Sequence, residues 1–169
     1  ANMNKKSIFK GSHVAAWFDG PNDYKDYDVD VLFQDMQIVT EQEIPRWRAF
    51  AQKMHDQGKL FCTQLHPITH MGRIQEYVMD EPGMQAAVCV DFDGQPIKIG
   101  WMGGLLYKDR WPGFYCSNHP RYRAYLRHQV YMFCEVGVDG IMVDDGGGAF
   151  FVRNRGGCFC KYCMAGFRQ

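Results

Sequence analysis

The sequence lacks most of the features that assign a chain to a class at first sight. It has no surplus of either charge: Lys plus Arg and Asp plus Glu number 19 each. A neutral balance leaves no electrostatic footprint for nucleic acid, and no run of like charges forms a tail. No apolar stretch is long enough to span a bilayer, so no membrane partner is expected. Residues 1–10 are polar and basic without an apolar centre, and do not read as a signal peptide; a signal removed ahead of Ala1 remains compatible with this. Internal repeats and low-complexity segments are missing, which sets aside solenoids and linkers.

What is present suits one globular unit. The 169 residues are 46% hydrophobic, enough for a single domain with a real core spanning 1–169. There are seven cysteines: Cys62, Cys89, Cys116, Cys134, Cys158, Cys160 and Cys163. An odd number would leave one over in a disulfide framework. Unpaired thiols and the polar N-terminus favour a cytoplasmic setting.

The most informative stretch is Gly137-Val138-Asp139-Gly140-Ile141-Met142-Val143-Asp144-Asp145-Gly146-Gly147-Gly148. Gly137 reads as the stop of a preceding helix. Ile141, Met142 and Val143 form a continuous apolar run, the mark of a strand covered on both faces. Asp144 and Asp145 follow at its C-terminal end, where parallel α/β folds place their chemistry. The plainer reading has one aspartate capping the next helix and the other in solvent. The glycine run favours an open, ligand-facing loop.

Other elements read in order. Residues 13–18 make a strand ending at Asp19 and a turn signal. Residues 24–37, acidic and aromatic, read as a loop. Residues 40–57 read as a helix: Thr40 and Glu43 have capping-box spacing, and Ile44, Trp47, Ala51 and Met54 make its apolar stripe. Pro45 implies a tight first turn. Residues 59–65 give a strand ending at His66. Residues 68–119 form a long connection with a hairpin signal at Asp93-Gly94. Its aromatics, Trp101, Tyr107, Trp111, Phe114 and Tyr115, suit either stacking on a sugar ring or a small core under the loop. Residues 120–136 read as a second helix, capped by Asn118 or Ser117, with Tyr122, Leu126, Val130, Phe133 and Val136 inward. A further helix begins near the last residues.

Strands joined through helices imply parallel pairing. Asp19, His66 and Asp144 would then share one face. The fold expected is α/β, a partial (β/α)₈ TIM barrel with a long hairpin-bearing excursion. A full barrel needs about 250 residues, so this length supplies about half the ring.

Cys158, Cys160 and Cys163 follow a C-x-C-x₂-C pattern. Thiolates so spaced can converge on one zinc ion if Gly156 and Gly157 allow a tight turn. A structural site wants four ligands; Cys116 is the first choice for the fourth and His119 the substitute. The alternative is a set of small buried cysteines.

Four segments occur in this order: Val90-Asp-Phe-Asp-Gly-Gln-Pro96, Cys116-Ser-Asn-His-Pro-Arg-Tyr-Arg123, the Asp144-Asp145 strand end, and Cys158-Phe-Cys-Lys-Tyr-Cys-Met-Ala-Gly-Phe-Arg168. Together they resemble the first half of the barrel in family 42 glycoside hydrolases, the β-galactosidases and related glycosyl hydrolases. The resemblance covers residues 40–169 and implies structural zinc on Cys116, Cys158, Cys160 and Cys163. It departs at the catalytic position. Where the family has Asp-Asn-Glu with the Glu as acid/base, this chain has Asp144-Asp145-Gly146. The strand also resembles, over a short stretch, the fourth strand of α-amylase-like barrels, whose final Asp is the nucleophile.

The expected activity is hydrolysis of O-glycosidic bonds in a carbohydrate. Asp144 is the candidate nucleophile or stabiliser, and Asp145 the general acid or a hydroxyl ligand. Asp19, His66 and Trp101 are candidates for substrate binding. Two alternatives stand beside this. Gln64-Leu-His66 and His70-Met-Gly-Arg73 loosely resemble a segment of old-yellow-enzyme barrels, which implies a flavin oxidoreductase. Gly146 at the acid/base position suits a non-catalytic carbohydrate-binding relative. A homo-oligomer is left open by the sequence.

Overall fold

A computed structural model describes residues 15–17, 29–67, 72–100, 106–144, 152–154 and 156–168. Four strands form one parallel sheet: β1 (Ala15–Trp17), β2 (Val31–Phe33), β3 (Leu60–Leu65) and β4 (Gly140–Val143). Their spatial order is their chain order. All three pairings are parallel, with Val31 opposite Leu60 and Cys62 opposite Gly140. A sequential parallel sheet with helices in its connections is a partial (β/α)₈ barrel, as the sequence led us to expect.

The strand β2 corrects the sequence reading, which placed residues 24–37 in a loop. Three apolar residues span too little of a two-residue period to stand out from acidic, aromatic flanks. In the fold, Val31 and Leu32 are buried between β1 and β3.

Helix α1 (Ile44–Asp56) follows a short 3₁₀ turn, Glu41–Glu43. The Glu43 carboxylate accepts from the Val39 N–H at 3.0 Å and the Thr40 N–H at 3.4 Å. This is the reach-back expected of a capping box, and Pro45 sits in the first turn. Its inward face, Ile44, Ala51 and Met54 with Trp47 and Phe50 at the edge, packs on β3. Phe61 of β3 is fully buried beneath it, stacked 6.5 Å from Trp47. Burial of a side chain this size is worth roughly 1.5–3 kcal/mol.

Helix α3 (Pro120–Val136) has the bounds expected. Its cap is His119 rather than Asn118 or Ser117: His119 Nδ1 accepts from the Arg121 N–H at 3.3 Å. Its buried face is Tyr122, Gln129, Met132, Phe133 and Val136, so Leu126 and Val130 lie half-buried at the margin. Gln129 is tolerated inside because its amide donates to the Ile38 carbonyl at 3.3 Å. Gly137 ends the helix at φ 88°, which glycine adopts without strain.

The connection 68–119 holds a helix that the sequence reading missed, α2 (Gly72–Asp80). Ile74, Val78 and Met79 form its buried side. The hairpin follows: Val90 bridges Pro96 antiparallel, and Asp91 Oδ1 accepts from the Asp93 and Gln95 N–H groups. A third segment joins, with Gly113 opposite Lys98 and Tyr115 opposite Val88. Phe114 and Tyr115 are buried in two satellite cores, which decides their role as packing rather than sugar stacking. Tyr107 donates to Asp80 at 2.5 Å, and Lys98 lies over the exposed Trp111 ring. Trp101 lies outside the described residues.

Strand β4 departs from its expected burial. Ile141 is half-buried, and Met142 and Val143 are exposed. The apolar run is therefore not covered on both faces, and among the described residues β3 is the one strand paired with β4. The last helix, α4 (Lys161–Phe167), is where the sequence placed one. Among the described residues no helix is long and apolar enough to cross a membrane.

Candidate active site and metal centre

The C-terminal tips of β2, β3 and β4 lie side by side and carry the candidate chemistry. Alternation along β3 puts Gln64 and His66 on one side, and both are 5% exposed. Register then brings β4 to them. Leu65 pairs with Val143, and the Asp144 N–H donates to the Leu65 carbonyl at 3.0 Å. Asp144 is thereby set next to His66: its Oδ2 lies 3.8 Å from His66 Nδ1. The Gln64 side-chain amide donates to the same carboxylate oxygen.

The neighbour on the other side is Asp35, two residues past β2. The Gln34 N–H donates to the Cys62 carbonyl at 3.0 Å, and the Met36 N–H to the buried Thr63 hydroxyl at 3.1 Å. These bonds hold the chain against the β3 tip. Asp35 Oδ2 then lies 4.0 Å from His66 Nε2 and accepts from Gln37 Nε2 at 2.5 Å. Asp35 Oδ1 and His66 Nε2 are buried and have no hydrogen-bond partner among the described residues. Such atoms are uncommon away from functional sites. Burial pushes the Asp35 carboxyl above its ordinary range, against the opposing pull of His66 and Gln37.

The result is a row of carboxyl, imidazole and carboxyl across three adjacent strands. His66 and Asp144, both expected at the site, are brought together. Asp19 and Asp145 lie outside the described residues. Asp35 was missed because its strand was missed. A usable signal exists: Val31-Leu-Phe-Gln-Asp35 has the form of Ile141-Met-Val-Asp-Asp145, an apolar triplet then two polar residues ending in Asp. Arg73, part of the flavin-like segment, pairs instead with Glu43 at 2.9 Å.

The cysteines converge as their spacing suggested. The sulfurs of Cys116, Cys158, Cys160 and Cys163 all lie within 4.8 Å of one another. Cys116 Sγ is 3.4 Å from Cys163 Sγ and 3.6 Å from Cys160 Sγ. Four sulfurs about 2.3 Å from one tetrahedral ion stand roughly 3.8 Å apart, so this set has the size of a single-ion site. Gly156 and Gly157 take φ 89° and 101°, the left-handed turn the triplet needs. The Phe159 N–H donates to the Val90 carbonyl at 2.8 Å, tying the turn to the hairpin. Hydrogen bonds from Cys116 and then Cys89 pull the Cys158 thiol well below its ordinary range. His119, the substitute ligand, is occupied in capping α3 and packs edge-on against Tyr162.

No protein-family model and no curated protein matches the chain. Several solved structures are similar in backbone. The glycoside hydrolase domain of PelA from Pseudomonas aeruginosa is 13% identical, with a TM-score of 0.48 over 78% of this chain and 43% of its own. Ega3 from Aspergillus fumigatus, in complex with galactosamine, is 13% identical, with a TM-score of 0.47 over 81% and 45%. The type III pullulan hydrolase from Thermococcus kodakarensis is 17% identical, with a TM-score of 0.46 over 86% and 34%. The chain spans less than half the length of each of these structures.

Proposed function

We propose that this chain carries part of the active-site rim of a glycoside hydrolase acting on O-glycosidic bonds of a carbohydrate. One observation carries the reading: Asp35 and Asp144 face the two nitrogens of His66 on three adjacent parallel strand tips. Glycoside hydrolysis normally uses two carboxyls, one protonated and one ionised. Asp144 accepts a hydrogen bond from Gln64 and is half-exposed, which suits a nucleophile or charge stabiliser. Asp35 is more deeply placed and its carboxyl is pushed upward by burial, which suits a proton donor. His66 lies between them and would hold a sugar hydroxyl. Asp145, Asp19 and Trp101 remain candidates for further contacts with the substrate.

The finer reading is a relative of the family 42 β-galactosidases. Gly146 stands where that family has its acid/base, and Asp35 would supply a carboxyl from another strand. The four cysteines would hold a structural zinc ion. Four thiolates leave no open position, so the metal braces the hairpin, the α3 entry and the α4 entry and takes no part in the reaction.

The test is turnover of a panel of aryl glycosides, β-galactosides first, by the full-length protein and Asp144→Asn. Hydrolysis by the parent that disappears in a folded variant supports the reading. Sugar binding without hydrolysis by the parent would replace it with a carbohydrate-binding role. Full activity in the variant would remove Asp144 from the chemistry.

A further inference from the structure

The excursion between α2 and α3 carries a cleft of its own. It measures about 320 Å³, at the lower end of small-molecule pockets. None of its lining residues belongs to the row of Asp35, His66 and Asp144. Its shape follows from alternation along the third segment of the hairpin. Trp111, Gly113 and Tyr115 fall on one side of that segment, with Lys98 opposite Gly113 and Val88 opposite Tyr115. Gly113 has no side chain to fill the middle, and a Cβ there would lie 2.6 Å from Val88 Cγ1. The cleft therefore has an apolar floor, Val88 and Tyr115, and an aromatic wall, Trp111, which is 41% exposed.

The polar groups around that floor are of both kinds. Lys98 Nζ lies 5.4 Å from the Trp111 ring centroid and holds no ion pair among the described residues. Gln85 Nε2 donates to the Met79 carbonyl at 3.1 Å, which fixes the amide and leaves its oxygen to accept. Asp109 adds a carboxylate that has no ion pair among the described residues. Arg110 also lines the cleft, but Asp80 at 2.7 Å offsets its charge. The cleft is left with one unpaired cation and one unpaired anion.

The backbone holds Asp109 there against its preference. Lys108 and Asp109 are the centre of a two-residue turn. The Tyr107 N–H donates to the Arg110 carbonyl at 3.1 Å, and the Arg110 N–H to the Tyr107 carbonyl at 2.9 Å. Hairpin turns of this kind take positive φ at both central residues, and glycine is the usual second one. Here φ is 49° at Lys108 and 59° at Asp109, the two non-glycine residues with positive φ among those described. Lys108 has a structural use, since its ammonium pairs with Asp80 at 2.8 Å. Asp109 has no such partner among the described residues, and backbone strain of this sort collects at ligand clamps.

We propose that this cleft binds one neutral pyranose ring of an oligosaccharide, its apolar face on Trp111 and its hydroxyls on Asp109, Lys98 and Gln85. A pyranose presents C–H groups on a face and a rim of hydroxyls that both donate and accept. An indole wall, an apolar floor and a mixed set of donors and acceptors match that pattern. The balanced charge favours a neutral sugar over an acidic one. The inference rests on the carbohydrate reading of the chain, and on none of the strand-tip residues.

The test labels the full-length protein with 5-fluorotryptophan and identifies the Trp111 fluorine resonance by its loss in Trp111→Phe. Galacto-oligosaccharides, gluco-oligosaccharides and an oligogalacturonate are the probes, with affinities read by calorimetry. The Trp111 resonance should shift saturably with a neutral oligosaccharide, in the parent and in Asp144→Asn alike. Affinity should fall roughly tenfold or more in Trp111→Ala and in part in Trp111→Phe. It should fall roughly 10- to 100-fold in Asp109→Gly, which loses hydrogen bonds to a charged group. Asp109→Gly should nonetheless melt at or above the parent temperature, because glycine takes positive φ freely. Turnover of aryl monoglycosides should stay at the parent level in Trp111→Ala and Asp109→Gly. A parent that moves the Trp111 resonance but hydrolyses no glycoside would end the strand-tip reading and still support the cleft. A Trp111 resonance unmoved by every neutral sugar, an unchanged affinity in both Trp111→Ala and Asp109→Gly, or binding confined to the uronate would each overturn the proposal.

Discussion

Asp139 and Phe61 are joined twice, once in each direction. The Asp139 N–H donates to the Phe61 carbonyl at 2.8 Å, and the Phe61 N–H donates to Asp139 Oδ2 at 2.8 Å. The same carboxylate oxygen lies 2.7 Å from His55 Nε2 on α1. This clamp starts β4 in register on β3. Five residues later, that register delivers Asp144 to His66.

Removing the clamp should therefore loosen the site from a distance. Asp139→Ala leaves a part-buried N–H unpaired, and should cost about 1–3 kcal/mol in urea unfolding. Asp139→Asn keeps an acceptor oxygen and should cost less. Equal stability of all three proteins would show that the clamp does not set the pairing.

A second contact tests the same seam. A Cβ on Gly140 would lie 2.9 Å from Cys62 Sγ, so β4 can sit this close only because the residue there is glycine. Gly140→Ala should lower stability by roughly 1–3 kcal/mol through overpacking. Adding Cys62→Ala clears the obstructing sulfur, and the double variant should recover part of the loss. Thermal unfolding of both singles and the double measures the coupling. Strict additivity would mean that the two positions do not press on each other.

Much of this fold was legible in the sequence, for reasons that differ by element. Helices α1 and α3 carry several turns of apolar periodicity and clear stops at Gly58 and Gly137. The capping-box spacing of Thr40 and Glu43 was visible as well. The cysteine triplet announced itself because thiols are scarce and their spacing is chemically restrictive. The strand β2 and Asp35 were not legible, since three residues cannot establish a period against acidic and aromatic flanks. Helix α2 is nine residues long and lies within the stretch 68–119, read from the sequence as a long connection. Cys89, which packs in the same small core as Cys116 and Cys160, lies far from the triplet in sequence, and the hairpin brings it there. The exposure of Met142 and Val143 depends on what packs over β4, which a local apolar run does not specify.

The position of Asp35 gives a pH dependence with a definite sign. As a proton donor it works in its neutral form, so turnover should fall as pH rises through its titration. Burial moves that fall above the ordinary carboxylate range. An aryl glycoside with a good leaving group needs little protonation. On such a substrate Asp35→Asn should retain turnover and lose the alkaline limb. On a poor leaving group it should be nearly inactive. An alkaline limb that persists unchanged in Asp35→Asn would assign the acid to another group.

Chemical rescue addresses the strand-tip carboxylate most directly. Asp144→Ala, made in the full-length protein, should hydrolyse para-nitrophenyl glycosides on the order of 10⁴-fold more slowly than the parent. Azide, small enough to occupy the place of the lost carboxylate, should restore much of the rate and yield a glycosyl azide. A variant that turns over at the parent rate without azide would show that the carboxylate beside His66 takes no part in breaking the bond.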